Sequence, residues 1–580
     1  MGSIITKFIL VAMVLLSALT ARAYNAEIDG IFYNFSGSRA IVTYKAVNNG
    51  SYSGDIVIPS TVTYNDMEYI VQEIGPRAFV NCSDLTSVDI PNTVTVIGEY
   101  AFKGCSGLTY FYFPENLQVL DRWSLADCTG LESIVIPDGI TEIGEAVFKG
   151  CTSLADIIVP SGVRKIGAIA FEDTPWFESL PNGLVYIGDV AYKYKGTIPS
   201  NTEIVLKEGT VSISGECFWE WQRTGLTSIT IPNTVTSIGF GAFYNCGRLT
   251  SITIPNSVIE LENIAFYGCH GLTSVVIPSS VKSYGQRVFD QCDNLESIVV
   301  ESGNTVYDSR ENCNAVIRTS DGVLIEGCKN TTFPEGIKVI ASQALCNTYL
   351  ATANLPSTLQ SISNYAFQFC NRLTSIEIPD SVTYIGSFAF RGCTGLTTLS
   401  IRSGDIFIED EAFCSNTSLT DVYCYSTEPP GAYSTVFNYS NVNENTTLHV
   451  PHQALDTYRS TLPWSEFKEI VPLSMGKCEA PTITLLPSGK LKVESSTEGS
   501  TCITNITATN AEPLTATEIS LTEALVVYTV TAYATADYYE DSDVTTYTFT
   551  LQRTDHDVDG DGQLDVTDIS RLINIVLGRE

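Results

Sequence analysis

Hydrophobic and polar positions alternate in short runs that return at a nearly fixed interval along most of the chain. Each unit approximates L-x-x-[IV]-x-[IV]-P-x-x-V-x-x-I-G-x-x-A-F-x-x-C, as in LTSVVIPSSVKSYGQRVFDQC from Leu272 to Cys292. The large residue after the small one recurs at intervals that are mostly 23 residues, at Phe79, Phe102, Leu125, Phe148, Phe171, Phe218, Phe243, Phe266, Phe289, Leu345, Phe367, Phe390 and Phe413. One such unit cannot bury its apolar face alone, whereas stacked units share a continuous core. The pattern therefore predicts a solenoid.

The apolar positions within a unit predict its local structure. Leu-x-x-[IV]-x-[IV] predicts a short strand, and the following proline ends it because proline has no N–H for the ladder. Stacking at about 4.8 Å per coil builds a parallel sheet from these strands. The second apolar pair is predicted to turn the chain, and Ala-Phe to fill the far side of the coil. Two longer intervals, residues 172–214 and 300–334, are insertions predicted to form hairpins beside the solenoid.

These landmarks resemble those of the BspA-like leucine-rich repeat proteins. Ile-Pro, Ile-Gly, Ala-Phe and Cys recur in the same order within a 23-residue unit. The resemblance implies a mainly β, leucine-rich repeat solenoid over residues 71–422. It also implies a secreted or cell-surface protein of the adhesion type.

The segments that flank the repeats change in character. Residues 24–70 and 423–473 are rich in strand and aromatic residues and are predicted to be β-rich caps, because an uncapped end would expose the apolar core. Residues 474–553 alternate apolar and polar side chains with a period of two, which predicts a small antiparallel β-sandwich. The stretch YTVTAYATADYYEDSD within it resembles the immunoglobulin-like modules appended to bacterial surface proteins and glycosidases.

The position of the 17 cysteines bears on whether they form disulfides. Most occupy one point of successive units, in the series Cys82, Cys105, Cys128, Cys151, Cys246, Cys269, Cys292, Cys370 and Cys393. Side chains in such a ladder run parallel at about the coil spacing, whereas a disulfide needs Cβ atoms about 3.8 Å apart and a perpendicular torsion. The repeats therefore predict buried free thiols. Cys313 with Cys328, and Cys478 with Cys502, are better disulfide candidates.

Charge and the first residues indicate where the protein works. Lys7, an apolar run and Ala21-Arg22-Ala23 form the pattern of an export signal, so residues 1–23 are predicted to be removed. The apolar run is shorter than the roughly 20 residues that span a bilayer, and no transmembrane segment is expected afterwards. The formal net charge of −33 disfavours nucleic acid and anionic lipid as partners. A bacterial protein that is secreted or held at the cell surface is predicted.

The last stretch, DHDVDGDGQLDVTDISRLINIVLGRE, has the spacing of a calcium loop. The oxygen ligands stand at loop positions one, three, five, seven, nine and twelve, in Asp557, Asp559, Asp561, Gln563, Asp565 and Asp568. Gln563 offers its backbone carbonyl, and Gly562 at position six permits the sharp turn. Residues 554–580 are therefore predicted to be a Ca²⁺-binding loop followed by an apolar helix.

This calcium segment resembles one half of a type I dockerin. The resemblance implies a cohesin-like partner that is read through Val566 and Thr567. Dockerins normally carry two loops and this chain has one, so the resemblance supports calcium binding more strongly than cohesin binding.

Catalytic signatures are lacking, and the four histidines are scattered along the chain, so an enzyme is not expected. The outward positions of the predicted strands instead present hydroxyls and a few aromatic rings, at Tyr110, Tyr112, Thr227, Thr230, Thr250 and Thr253. Such a face suits an extracellular protein or glycan ligand, although threonine and serine are also ordinary solvent-facing strand residues. The alternative hypothesis is an accessory component of a polysaccharide-degrading complex, recruited through the dockerin-like end.

Overall fold

The computed structural model describes residues 24–45, 50–219, 225–473, 478–485, 491–496, 500–509, 526–535 and 542–551. These residues belong to two compact units. The first unit comprises Met1–Thr397, Asp405–Leu419 and Gly431–Asn441, and the second comprises Thr398–Gly404, Thr420–Pro430 and Val442–Glu580. The predicted export signal at 1–23 and the predicted calcium module at 554–580 lie outside the described residues.

The first unit begins with a group of mostly antiparallel strands. They are β1 Ala26–Ile28, β2 Ile31–Ser36, β3 Arg39–Thr43, β4 Gly54–Val57, β5 Thr61–Tyr64 and β6 Met67–Ile74. β1, β2 and β3 form an antiparallel meander, and β5 pairs antiparallel with β6. β3 and β6 are parallel, and β6 also pairs in parallel with the first short strand of the repeats.

The first block of repeats contains two kinds of strand. They are β7 Leu85–Asp89, β8 Val96–Ile97, β9 Val119–Leu120, β10 Ser133–Val135, β11 Glu142–Ile143, β12 Asp156–Ile158 and β13 Lys165–Ile166. The short strands β8, β9, β11 and β13 continue from β6 as one parallel sheet. The longer strands pair only two at a time, β4 with β7 and β10 with β12.

The first insertion forms a helical turn and a hairpin before the repeats resume. Its elements are helix α1 Pro175–Glu178 and the antiparallel strands β14 Gly183–Ile187 and β15 Val190–Lys195. The second block then follows with β16 Thr202–Val205, β17 Ser212–Ile213, β18 Leu226–Thr230, β19 Ser237–Ile238, β20 Glu260–Leu261, β21 Ser274–Ile277, β22 Ser283–Tyr284 and β23 Ser297–Val300. β15 pairs with β17, which is followed by β19, β20 and β22 in a parallel row. The hairpin therefore forms the beginning of that sheet.

The second insertion likewise begins the sheet of the third block of repeats. It consists of β24 Tyr307–Asp308, a short 3₁₀ turn at Arg310–Asn312, β25 Ala315–Arg318 and β26 Val323–Gly327. β25 and β26 form a hairpin, and β26 then pairs in parallel with the next coil.

The remaining repeat strands divide between the two units. In chain order they are β27 Val339–Ile340, β28 Ser361–Ile362, β29 Ser375–Ile378, β30 Tyr384–Ile385, β31 Thr398–Ile401, β32 Phe407–Ile408, β33 Asp421–Cys424 and β34 Gly431–Ala432. In the first unit, β26, β27, β28, β30, β32 and β34 form one parallel row. β31 and β33 pair in parallel within the second unit.

The second unit continues with helices, two more parallel strands and then antiparallel strands. Its elements are helix α2 Val442–Asn445, β35 Thr447–Val450, a 3₁₀ turn at His452–Ala454, helix α3 Leu455–Ser460, a 3₁₀ turn at Trp464–Glu466, β36 Glu469–Pro472, β37 Thr482–Leu485, β38 Leu491–Glu494, β39 Thr501–Thr509, β40 Val526–Thr535 and β41 Thr545–Leu551. β33, β35 and β36 are parallel. β37 with β38, and β39 with β40 and β41, are antiparallel. The immunoglobulin-like assignment of this region stays a prediction.

The core of the first unit is a column of equivalent side chains. Ring centroids lie 4.7 Å apart for Phe79 and Phe102, 5.0 Å for Phe243 and Phe266, and 4.8 Å for Phe367 and Phe390. These spacings match the distance between neighbouring strands. The prediction of a mainly β, leucine-rich repeat solenoid with a shared core is therefore confirmed.

The predicted strand roles need one correction. In the first two blocks the leucine strands, expected to build a parallel sheet, pair only two at a time, whereas the second apolar pair, expected to turn the chain, forms the continuous rows. In the second unit the leucine strands β31 and β33 do continue in parallel with β35 and β36. In the first row Ile97, Leu120, Ile143 and Ile166 are in register. Their side chains are buried and of similar size, so each coil repeats the packing of the one before it.

Candidate functional site

The outward face of the leucine strands in the first block contains the predicted aromatic residues. Burial alternates along the segment, so Phe111 points into the core while Tyr110 and Tyr112 are 49% and 74% exposed. The two tyrosine rings lie 5.6 Å apart and are tilted by 47°. The structure thus brings these two predicted residues together on one surface.

An open groove lies between this segment and the next coil. It has a volume of about 270 Å³ and is lined by Tyr110, Phe111, Tyr112, Phe113, Glu115, Ser133, Ile134, Val135 and Pro137. In the parallel ladder, the described segment 109–113 takes part only through the bridge between Tyr110 and Ser133.

Two large core residues lie where the coils separate. Phe111 and Phe113 stand where other units have isoleucine or valine. Phe111 packs edge-on against Phe102, with ring centroids 4.9 Å apart, and Phe113 packs against Phe111 at 5.0 Å. Rings of this size need more room than branched aliphatic side chains, and the groove lies beside them. Residue size is not the whole cause, because residues 250–254 also lie outside the ladder with Ile252 and Ile254 buried.

Two residues that the sequence interpretation missed extend the apolar surface. Val135 and Ile158 are 59% and 56% exposed and are opposite each other in the pairing of β10 with β12. Together with Tyr112 they form what we call the apolar stripe. The sequence held only a weak signal, because the equivalent outward position is Asp89 or Thr230 in some units but Val276 or Val299 in others.

Carboxylates surround the apolar stripe. Glu115 lines the groove, Asp138 follows the lining residue Pro137, and Asp156 is paired with Ser133. Asp89 and Glu132 are exposed as well. No lysine or arginine is among the residues that line the groove. The site therefore combines apolar contact area with negative charge.

The predicted threonines lie elsewhere and differ among themselves. Thr230, Thr250 and Thr253 are exposed, as expected. Thr227 is less exposed than the others, because it is half-buried and its hydroxyl donates a hydrogen bond to the carbonyl of Thr202 at 3.1 Å. Thr227 thus helps to hold two coils together.

The predicted calcium ligands Asp557, Asp559, Asp561, Gln563, Asp565 and Asp568, and the predicted partner-reading residues Val566 and Thr567, lie outside the described residues. Within the part of the chain that is described, no three histidine, cysteine or acidic side chains converge in a way that could hold a metal ion. Over the same residues, no helix has both the length and the apolar character needed to cross a bilayer.

All 17 cysteines are unbridged, including Cys313, Cys328, Cys478 and Cys502. The thiols of the repeats are buried, as predicted. They also form a bond that the spacing alone does not reveal. Cys105 Sγ donates to the Phe79 carbonyl at 3.0 Å, and Cys269 Sγ donates to the Phe243 carbonyl at 3.2 Å. Each thiol therefore links its coil to the preceding one.

The repeated coils with their aligned phenylalanines and cysteines define the leucine-rich repeat class. The chain belongs to the BspA type leucine rich repeat region family, whose profile matches residues 72–199, 185–316 and 326–443 in 6 copies. No curated protein matches the chain significantly.

Several solved structures are similar to this chain. A leucine rich cell surface protein from Faecalibacterium prausnitzii is 24% identical, with 70% of this chain and 96% of that chain covered and a TM-score of 0.29. A leucine-rich repeat protein from Bacteroides ovatus is 24% identical, with 70% and 95% covered and a TM-score of 0.25. The pneumococcal vaccine antigen PcpA is 17% identical, with 78% and 99% covered and a TM-score of 0.34.

Proposed function

We propose that this protein is an exported binding protein, secreted or held at the bacterial surface, that uses its repeat solenoid to bind an extracellular protein or glycan. The observation that carries the proposal is the apolar stripe of Tyr112, Val135 and Ile158 on the solvent side of the strands. Contiguous exposed apolar surface is costly in water and is typical of interaction sites. A binding role, with no catalytic role, accounts for such a surface.

Binding of the full-length protein to an array of extracellular-matrix proteins and glycans tests this function. We expect saturable binding to at least one ligand class, at concentrations where an unrelated acidic protein of similar charge does not bind. Absence of saturable binding to every ligand on the array would contradict the proposal.

The end of the chain is proposed to bind Ca²⁺ and to dock to a partner when the ion is present. The support is the spacing of the five aspartates from Asp557 to Asp568, which places oxygen ligands around one cation. Capture of a cohesin module by the full-length protein, reversed by a chelator, would favour an accessory role in a polysaccharide-degrading complex. Ligand binding through the repeats without capture of cohesin favours the surface-binding role.

A further inference from the structure

We propose that the groove beside the apolar stripe binds an extended, positively charged segment of a partner protein, with an apolar side chain of that segment inserted between Tyr112 and Val135. This inference rests on the proposed binding function and specifies the chemistry of the partner. It concerns one place on the solenoid, where the coil of residues 109–113 leaves the strand ladder.

In the first block the exposed apolar pair adjoins an aromatic ring and an open groove. Val135 is directly opposite Ile158, and Tyr112 lies in the adjoining coil. The matching position of the second block also holds an exposed valine, Val205, which is 76% exposed. However, Val205 is opposite Thr230, so its apolar surface ends after one residue. Val276 and Val299 are exposed and opposite each other, but neither lines the groove. A partner therefore gains apolar contact together with a tyrosine ring and the groove only at the apolar stripe.

The local backbone suits an extended polypeptide. The described segment from Phe111 to Phe113 stands outside the parallel ladder, which resumes at Ser133. An extended peptide can bind by main-chain hydrogen bonds at such an opening, while its alternate side chains enter pockets. The groove of about 270 Å³ has room for one apolar side chain with adjacent backbone.

The charge around the groove selects a cationic segment. Glu115, Asp138 and Asp156 supply negative charge beside the apolar stripe, and no basic residue lines the groove. Lysine or arginine residues that flank the inserted side chain would complement this charge and increase the association rate.

A glycan fits the same surface less well. A sugar ring stacks on a flat aromatic face, but the rings of Tyr110 and Tyr112 are tilted by 47° to each other. The surface beyond them is aliphatic, at Val135 and Ile158, and aliphatic side chains favour contact with apolar side chains. The observations therefore favour a polypeptide.

Fluorescence anisotropy with the full-length protein and two labelled peptides tests the inference. Both peptides share a central Leu-Val-Leu sequence, which is flanked by lysines in one and by glutamates in the other. We expect the lysine-flanked peptide to bind at least about tenfold more tightly, and added salt to reduce the difference. Val135→Lys should weaken its binding at least about tenfold, because it places a like charge in the groove. Val205→Lys is the matched control and should leave binding unchanged.

A charge reversal at the rim provides a second variant. Glu115→Lys should also weaken binding of the lysine-flanked peptide, whereas Glu203→Lys, an exposed residue of β16, should not. Circular dichroism of each variant verifies that the fold is retained.

The other possible outcomes would each overturn the inference or a part of it. Equal binding of both peptides, or no binding of either, would overturn the inference. If the protein binds a ligand on the array and Val135→Lys has no effect on that binding, the groove assignment is overturned but the binding function stands. Binding of glycans alone, lost in Val135→Lys, would make the groove a glycan site and overturn the polypeptide assignment.

Discussion

A cysteine at one fixed position of most coils serves both as a core residue and as a hydrogen-bond donor. Its side chain is small enough for the narrow part of the coil, and its S–H reaches the phenylalanine carbonyl of the preceding coil, as from Cys393 to Phe367 at 3.0 Å. A coil that ends a block has no following thiol. There, Thr174 donates to the Phe171 carbonyl at 2.7 Å and Asn416 donates to the Phe413 carbonyl at 3.0 Å. The acceptor is thus satisfied at each of these block ends, as buried polar groups require.

We expect the thiols of the repeats to resist an aqueous thiol reagent in the native protein. They are buried, and burial raises the pKa of Cys269 and Cys393 well above the ordinary value, so the reactive thiolate is scarce. Cys502, which is partly exposed, should react first. Mass spectrometry of timed labelling, with Cys502→Ala as the control, measures this order.

Two labelling results would change this picture. Rapid modification of the repeat cysteines without denaturant would contradict a shared dry core. Labelling of Cys502 only after reduction would show that Cys478 and Cys502 are bridged in solution.

Spacing predicted which residues are buried but not how individual backbones and hydroxyls are used. The residue before the cysteine adopts a left-handed conformation, with φ of 70° at Gly268 and 58° at Asn245. Glycine and asparagine tolerate this conformation best, so a composition signal existed at that position. The hydrogen bond of Thr227 to Thr202 had no such signal, because it depends on the exact position of another coil.

At the scale of elements, each of the two insertions ends one parallel sheet of the solenoid and begins the next. Within a block, the phenylalanine N–H donates to the following coil, as from Phe266 to the Val288 carbonyl at 2.8 Å. At each insertion a side chain takes the place of that carbonyl. Phe171 N donates to the Tyr192 hydroxyl at 2.9 Å, and Phe289 N donates to the Glu326 carboxylate at 2.7 Å. Both acceptors come from the inserted hairpins, so the hairpins cap the blocks that precede them.

Tyr192→Phe should destabilise the protein by about 1–3 kcal/mol, because it leaves the buried Phe171 N–H without its acceptor. Tyr33→Phe is a matched control, since the Tyr33 hydroxyl is buried and has no hydrogen-bond partner within the described chain. Guanidinium unfolding of both variants measures the difference. Equal shifts in the two midpoints would contradict a capping role for Tyr192.

Stability should depend on pH through Glu326. Burial raises the pKa of this carboxyl from 4.5 to about 8, although the Tyr284 hydroxyl donates to it at 2.5 Å. The folded state therefore binds a proton that the unfolded state has released between these values. The contribution of Glu326 to stability is fully present below pH 4.5 and is lost as pH rises towards 8, by up to about 1.4 kcal/mol per pH unit.

Glu326→Gln isolates this contribution because its amide oxygen can still accept a hydrogen bond and does not titrate. Unfolding midpoints of both proteins across the same pH range give the comparison. We expect the variant to lose less stability than the wild type as pH rises. Parallel curves would contradict the proposed titration of Glu326, since the neighbouring Asp290 carboxyl is present in both proteins.

At the scale of the molecule, the repeat interval predicted the solenoid and the two inserted hairpins. It did not predict where the leucine strands separate, at residues 111–113 and again at residues 250–254, because strand pairing depends on how neighbouring coils stack. Nor did it predict how the first two blocks are joined. Lys165 forms ion pairs with Glu260 at 2.9 Å and Glu262 at 2.6 Å, across 95 residues of sequence in the first case. Such ion pairs depend on how the coils stack in the folded protein, which the local sequence pattern does not indicate.

The proposed calcium module at residues 554–580 would add a function that the solenoid alone lacks, because a cation can switch a docking segment on or off. Five aspartates within the loop repel one another when no cation is bound, so binding of Ca²⁺ should order the segment. Isothermal titration calorimetry of the full-length protein should give one site per chain. Asp561→Ala removes the ligand at loop position five and should abolish that heat, whereas Asp543→Ala, an exposed aspartate outside the loop, should leave it intact. An unchanged titration in Asp561→Ala would mean that any calcium binding resides elsewhere, and the docking role would lose its support.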